Sequence, residues 1–203
     1  MASIVTETKK IVFTTKKIEG KEIIYCENEK KLIEDLIAKF NELKPDVIFT
    51  YNGDMFDFPV WKARARKYGL KIEIGFEKSE PKTMRKGMYN VEKLSGVQHV
   101  DVYKIIRFLS MISAIDVSRF NLESVYESVF NKKKIDFEPW QLQQIFTNGT
   151  KKELLEVAEY NKQDSIATFE LGEKFLPLFM QLSQLVKEDL FEVSRQSVGT
   201  LVE

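Results

Sequence analysis

Cysteine and histidine are almost missing from this sequence. Cys26 is the single thiol and His99 the single imidazole among 203 residues. One thiol cannot close an intrachain disulfide, and neither a cysteine-rich zinc site nor a multi-histidine metal site can be assembled. An excess of one charge is missing too: 31 basic side chains face 31 acidic ones. That balance argues against a histone-like or polybasic binder, while leaving room for a local basic patch beside acidic metal ligands. Long apolar runs are absent, since nothing approaches the ~18 continuous residues of a membrane span. The opening "MASIVTETKKIVF" lacks the apolar core and cleavage site of a signal peptide. These absences point to a soluble, cytoplasmic chain. Glycine and proline are few, at 9 and 5, and no repeat or low-complexity segment stands out.

What is present reads as one ordinary globular domain, 43% hydrophobic and large enough to bury a core. "KKIVFTTKKIEGKEIIYCE" predicts a β-hairpin turning at Gly20. Leu32, Ile33, Leu36, Ile37, Phe40 and Leu43 then follow a helical period, with Asn28 as N-cap and Pro45 as the stop. "DVIFTY" is a continuous apolar run of the type buried on both faces of a sheet. A helix over about 58–68 follows, with Pro59 in its first turn and Gly69 at its C-terminus. "KIEIGF" predicts a short strand, 77–95 a loop or small hairpin, and "GVQHVDVY" another strand. The remainder is helical: about 104–113, "NLESVYESVF", "PWQLQQIF", and a long segment opened by the capping box "TKKE" at 150–153. Pro177 is expected to kink or restart that segment before a last helix ends near Val193. The order predicts an α/β fold, a mixed sheet flanked by helices with a helical C-terminal part. The first ten residues are expected to be a leader.

Two stretches carry chemistry. "YNGDMFDFP" sits where the run "DVIFT" ends, the end of a strand at which open α/β sheets bind ligands. Asn52, Gly53 and Asp54 are also plain turn formers, and Asp57 could simply cap the next helix. In "EYNKQDS", Tyr160 and Asp164 are i and i+4 on a predicted helix and share a face. A phenol and a carboxylate one turn apart could hold a water against a divalent cation, although a solvated Tyr–Asp pair is a common arrangement.

Taken together, "TYNGDMFDFP" closely resembles the second exonuclease motif of family-B DNA polymerases. "YNKQD" resembles the Tyr-x-x-x-Asp motif of the tyrosine branch of the DEDD 3′–5′ exonucleases. "KPDVIFTYNGD", "HVDVYK", "NLESVYESVF", "KFLP", "QLSQLV" and "VSRQSVGTLVE" are similar, in order, to landmarks of an archaeal-type family-B exonuclease region. The resemblance runs from about Ile11 onward. It implies a ribonuclease-H-like fold, a single-stranded DNA 3′ end as substrate, and proofreading hydrolysis with two Mg²⁺ or Mn²⁺ ions held by carboxylates. By motif position, Asp57 and Asp164 are expected to ligate metal and Tyr160 to orient the attacking water. Asn52 and Phe56 are expected to line the strand's entry, and His99 to be a satisfied near-core residue. The resemblance also implies that the remainder of a family-B polymerase is a partner and that the work is done at the nucleoid.

The pattern departs from the family at one point. The DEDD set needs a D-x-E motif on its first strand, and none precedes the expected hairpin. In "IVTET", Glu7 could take the Glu position, with Val5 in place of the Asp; alternatively, the strand bearing the motif lies ahead of Met1. "SVGTLVE" resembles the passage into the polymerase palm, which does not follow. The chain alone is therefore expected to be a poor or inactive exonuclease. The alternative is a degenerate exonuclease fold that only binds DNA, with "RKGMYN" and "KARARK" as phosphate contacts.

Overall fold

Chain direction along the first strands is set by short β-branched runs broken by polar turns. The structure is a computed structural model describing residues 1–87, 89–133 and 137–196. Strand β1 (Ala2–Val5) turns back at Thr6, whose N–H donates to the Lys9 carbonyl at 2.8 Å. It pairs antiparallel with β2 (Lys10–Thr14). Strand β3 (Ile23–Tyr25) lies on the other side of β2 and is parallel to it. The hairpin expected over 9–27 is thus replaced by a parallel pair, and the true hairpin uses the residues expected to be a leader. Parallel pairing follows because 15–22 travels back along the sheet before β3 begins, instead of reversing at Gly20.

Helix α1 (Glu29–Leu43) starts at Asn28, whose Oδ1 accepts the Lys31 N–H at 2.9 Å. Strand β4 (Val47–Thr50) follows, then α2 (Asp57–Lys67), with Gly69 in the left-handed region just past its end. "KIEIGF" forms no strand; Ile72 and Ile74 are fully buried in the cluster beneath α1 and α2, and only one bridge, Ile74 to Ser79, is made. The polar stretch that follows contains a hairpin, β5 (Lys82–Lys86) with β6 (Tyr89–Lys93). Strand β7 (Gln98–Asp101) returns to pair parallel with β4, setting Thr50 opposite Asp101.

Helices α3 (Val102–Met111), α4 (Leu122–Phe130), α5 (Pro139–Asn148), α6 (Lys151–Val186) and α7 (Leu190–Val193) complete the chain. The capping box at the start of α6 forms as expected: Glu153 Oε2 accepts the Thr150 N–H at 2.7 Å, and Thr150 Oγ1 accepts the Glu153 N–H at 3.3 Å. Pro177 does not break α6. Its ring removes one backbone donor, but Leu171, Phe175 and Phe179 on either side are buried, and their packing outweighs the local loss. This central helix, with α3 and α4, encloses the main apolar cluster around Val100, Ile105, Val125 and Leu171.

Glycine at 172 lets α6 approach β4. A Cβ there would stand 2.4 Å from Cγ of Phe49, well inside contact distance. Gly172→Val is expected to lower stability by about 1–3 kcal/mol through overpacking, measured by urea denaturation. A variant as stable as the parent would show that this contact does not limit the helix–sheet distance.

Candidate active site

Two parallel strands end side by side, and both end at polar turns. Beyond Thr50, the chain passes into Asn52 with φ 65°, a left-handed conformation that Asn tolerates. Gly53 then passes so close to Thr50 that a Cβ would meet its Oγ1 at 2.3 Å. The turn is anchored by Asp101 at the end of β7. Its Oδ1 accepts the Asn52 N–H at 2.7 Å and its Oδ2 the Asp54 N–H at 3.2 Å. The same carboxylate accepts the Tyr103 N–H at 3.2 Å and so caps α3.

Asp54 is the second anchor. Its carboxylate accepts the Glu92 N–H at 2.9 Å and two bonds from the Arg195 guanidinium, at 2.9 and 3.0 Å. Their side chains are 0% and 2% exposed, so this is a fully buried ion pair. Arg195 also donates to the His99 carbonyl at 2.8 Å. His99 is buried and satisfied, as expected. Its Nδ1 lies 2.9 Å from the Glu92 carbonyl and 3.0 Å from Arg195 Nη2, and its Nε2 lies 2.8 Å from the Thr50 hydroxyl. Burial, then the nearby Arg195 charge, lowers its pKa to about 4. Burial, then the neighbouring Asp54, raises Asp101 to about 6.

The turn delivers Phe56 and Asp57 to a cavity of about 1730 Å³. Asp57 occupies the first position of α2, where the helix dipole favours a carboxylate; the N-cap is Phe56, with no side-chain cap. The carboxyl group opens to water at the cavity mouth, yet the surrounding protein desolvates it enough to push its pKa above the usual carboxylate range. Phe56 is 63% exposed, a large aromatic left beside the cleft. Asp164 lines the same cavity from α6, although it is far from Asp57 in sequence. Tyr160 lies one turn before it on α6, half-buried and edge-on to Phe137 at 5.4 Å between ring centres. Glu7 lines the cavity at the β1–β2 turn. It is four residues beyond Ser3, whose Oγ reaches Ser165 next to Asp164. Asn52 is held by its backbone and is not among the residues lining the cavity.

The cavity thus gathers Phe56, Asp57, Asp164 and Glu7. Among the described residues, no three carboxylate, imidazole or thiol groups converge closely enough to hold a metal ion. The donors suit a hard divalent cation in type, but the convergent set is incomplete. Much of "KARARK" is already engaged: Lys62 lies 2.9 Å from buried Glu92, and Arg64 pairs with Glu29. In "RKGMYN", Lys86 pairs with Glu192, and Met88 lies outside the described residues.

Residues 2–125 match the family described as DNA polymerase family B, exonuclease domain. The chain belongs to that family. This exonuclease domain is 37% identical over 203 residues to DNA polymerase 1 of Pyrococcus abyssi, covering all of this chain and 25% of that one. It is 38% identical over 192 residues to a DNA polymerase of Thermococcus sp. strain 9oN-7, covering 95% of this chain and 24% of that one. Its fold is similar to the structure of the family B DNA polymerase from the hyperthermophilic archaeon Pyrobaculum calidifontis, with a TM-score of 0.73 and 24% identity. That match covers 92% of this chain and 23% of the other. The chain thus spans about a quarter of the length of these relatives.

The sequence reading missed the Asp54–Asp101–Arg195 anchor. A carboxylate directly after the strand "QHV", beside the strand that carries the motif, was the available signal for Asp101. Arg195 falls in the landmark "VSRQSVGTLVE", but no local pattern pairs it with Asp54.

Two outcomes are expected. Arg195→Ala leaves Asp54 buried without its partner and costs about 3–5 kcal/mol, read from denaturant unfolding. The titrations of His99 and Asp101 oppose one another between about pH 4 and 6. His99 has a depressed folded pKa, so its contribution is present above about 6.5 and is lost on acidification. Asp101 has a raised folded pKa, so its charging penalty is relieved over the same interval as pH falls. Asp101→Asn should therefore lose stability more steeply than the parent when acidified from pH 6.5 to 4. Parallel stability–pH curves would exclude this compensation.

Proposed function

We propose that this domain binds the 3′ end of a single DNA strand and hydrolyses its terminal phosphodiester, the proofreading step of a longer family-B polymerase. The observation that carries this reading is that Asp57 and Asp164, from opposite ends of the chain, face one cavity whose mouth presents exposed Phe56.

In this reading, Phe56 stacks against a base or sugar of the terminal nucleotides. Tyr160 orients the attacking water from the same helix that carries Asp164. Water oxygen bonds to phosphorus as the bond to the penultimate O3′ breaks, giving a nucleoside 5′-phosphate and a shortened strand. Asp57 and Asp164 would hold divalent cations of the Mg²⁺ or Mn²⁺ class. When bound, these supply positive charge to the attacking and leaving oxygens. The raised pKa of Asp57 fits a carboxylate whose natural counter-charge is a cation rather than a lysine or arginine.

Asp57 and Asp164 bring two negative charges to a site that the family loads with two doubly charged ions. Glu7, a further candidate on the cavity wall, does not converge with them closely enough to share an ion. The chain by itself is therefore expected to be a weak nuclease. With Mg²⁺ or Mn²⁺ and an end-labelled single strand, release should fall at least ~10²–10³-fold below that of a domain with the full acidic set. Residual release should disappear in Asp57→Ala and in Asp164→Ala. Rapid release that survives both substitutions would refute the assignment.

A further inference from the structure

Two groups that fix the turn lie outside the cleft. Neither Asp54 nor Arg195 lines the 1730 Å³ cavity, so any effect of theirs on a substrate there is indirect. Arg195 follows the four-residue helix α7, and its side chain is 2% exposed. Every nitrogen of its guanidinium has a partner. Nε donates to Asp54 Oδ2 at 2.9 Å and Nη2 to Asp54 Oδ1 at 3.0 Å. Nη1 donates to the His99 carbonyl at 2.8 Å and the Phe191 carbonyl at 3.1 Å, and lies 3.0 Å from Ser194 Oγ. The guanidinium carbon stands 4.1 Å from the centre of the Phe191 ring. One rigid, planar group therefore spans β7, α7 and the turn after β4.

The seat of Arg195 is itself fixed. The Phe191 N–H donates to Gln98 Oε1 at 3.1 Å, tying α7 to the start of β7, and Asp189 Oδ1 accepts the Glu192 N–H at 2.8 Å. Glu192 pairs with Lys86 of β5 and lies 3.6 Å from Lys93 Nζ of β6. On the other side, the chain from Asp54 to Asp57 has little freedom. The Asn52 carbonyl accepts the Met55 and Phe56 N–H groups at 3.2 and 3.0 Å, and the Gly53 carbonyl accepts the Phe58 N–H at 3.1 Å. These bonds straddle Asp57, so a displacement of Asp54 is carried to it. A two-bond fork fixes both the distance and the rotation of the Asp54 carboxylate, whereas a single ammonium fixes only the distance. An apolar pair could match the buried ion pair in stability, but it could not set that direction.

We propose that Arg195 is a positioning residue of the candidate active site. Through Asp54 it sets where Asp57 stands at the cleft, and it does so by the shape of its fork as well as by its charge. Lysine at this position keeps the charge and loses the fork. The seating of the turn is a matter of hydrogen bonds in the folded chain; its effect on hydrolysis rests on the nuclease reading.

The test uses Arg195→Lys in the full chain, with hydrogen exchange and strand release as its readouts. The Phe56 and Phe58 amides should exchange roughly tenfold faster, or more, relative to those of the buried Leu171 and Phe175 in α6. Any smaller change in that ratio would overturn the proposal, because a residue that only adds global stability speeds both pairs alike. In release from an end-labelled single strand, the Mn²⁺ concentration for half-maximal rate should rise about tenfold, with the parent rate approached at saturating Mn²⁺. An unchanged midpoint beside locally faster exchange would overturn the link to Asp57. If the parent releases nothing at any Mn²⁺ concentration, the nuclease reading fails, and the exchange ratio alone decides whether Arg195 seats the turn. Should Arg195→Lys not fold, Asp54→Asn combined with Arg195→Gln buries no unpaired charge and is read in the same way.

Discussion

The turn that carries Phe56 and Asp57 holds its shape because two buried carboxylates grip its backbone and a single arginine neutralises one of them. Asp101 takes the amides of Asn52 and Asp54, and Asp54 takes the guanidinium of Arg195. A buried ion pair of this kind adds little net stability compared with an apolar substitute, but breaking it is costly because the remaining charge has no water. Its value here is geometric. It ties three distant segments (the turn after β4, the end of β7 and the residues after α7) to one arrangement.

That arrangement explains why an apparently weak element can present an acid to solvent without moving. The turn has a left-handed Asn and a glycine pressed against Thr50, neither of which would hold a unique conformation alone. The Thr50 hydroxyl is in turn fixed by His99, which remains neutral in the interior. Polar groups share several hydrogen bonds each across this core, so rigidity comes from satisfied hydrogen bonds as much as from packing. Asp57, three residues beyond Asp54, stands just outside the network and keeps its carboxylate directed to the cleft.

On the other wall, α6 acts as a rigid rail. It spans 36 residues, opens with a reciprocal capping box and continues through Pro177 because phenylalanines on both sides are buried. Gly172 sets how closely it lies on Phe49 of β4, and hence how far Asp164 stands from the turn. The two acidic residues are thus positioned by independent devices, a polar clamp on one side and helix–sheet packing on the other. The cleft between them is also the seam between two sheets.

Local patterns in the chain determined much of this. Periodicity placed α1, α4 and α6, the Asn28 and Thr150 caps behaved as their chemistry requires, and "YNGDMFD" and "YNKQD" singled out two acids that line one cavity. Strand pairing was decided by tertiary structure. Whether β3 runs parallel or antiparallel to β2, and whether residues 2–5 are a leader or a strand, depends on partners remote in sequence. "KIEIGF" has strand composition but only core packing, since no edge lies within its reach. The partnership of Asp54 with Arg195 could not be read locally, because 141 positions separate them and only the folded chain brings them within 3 Å.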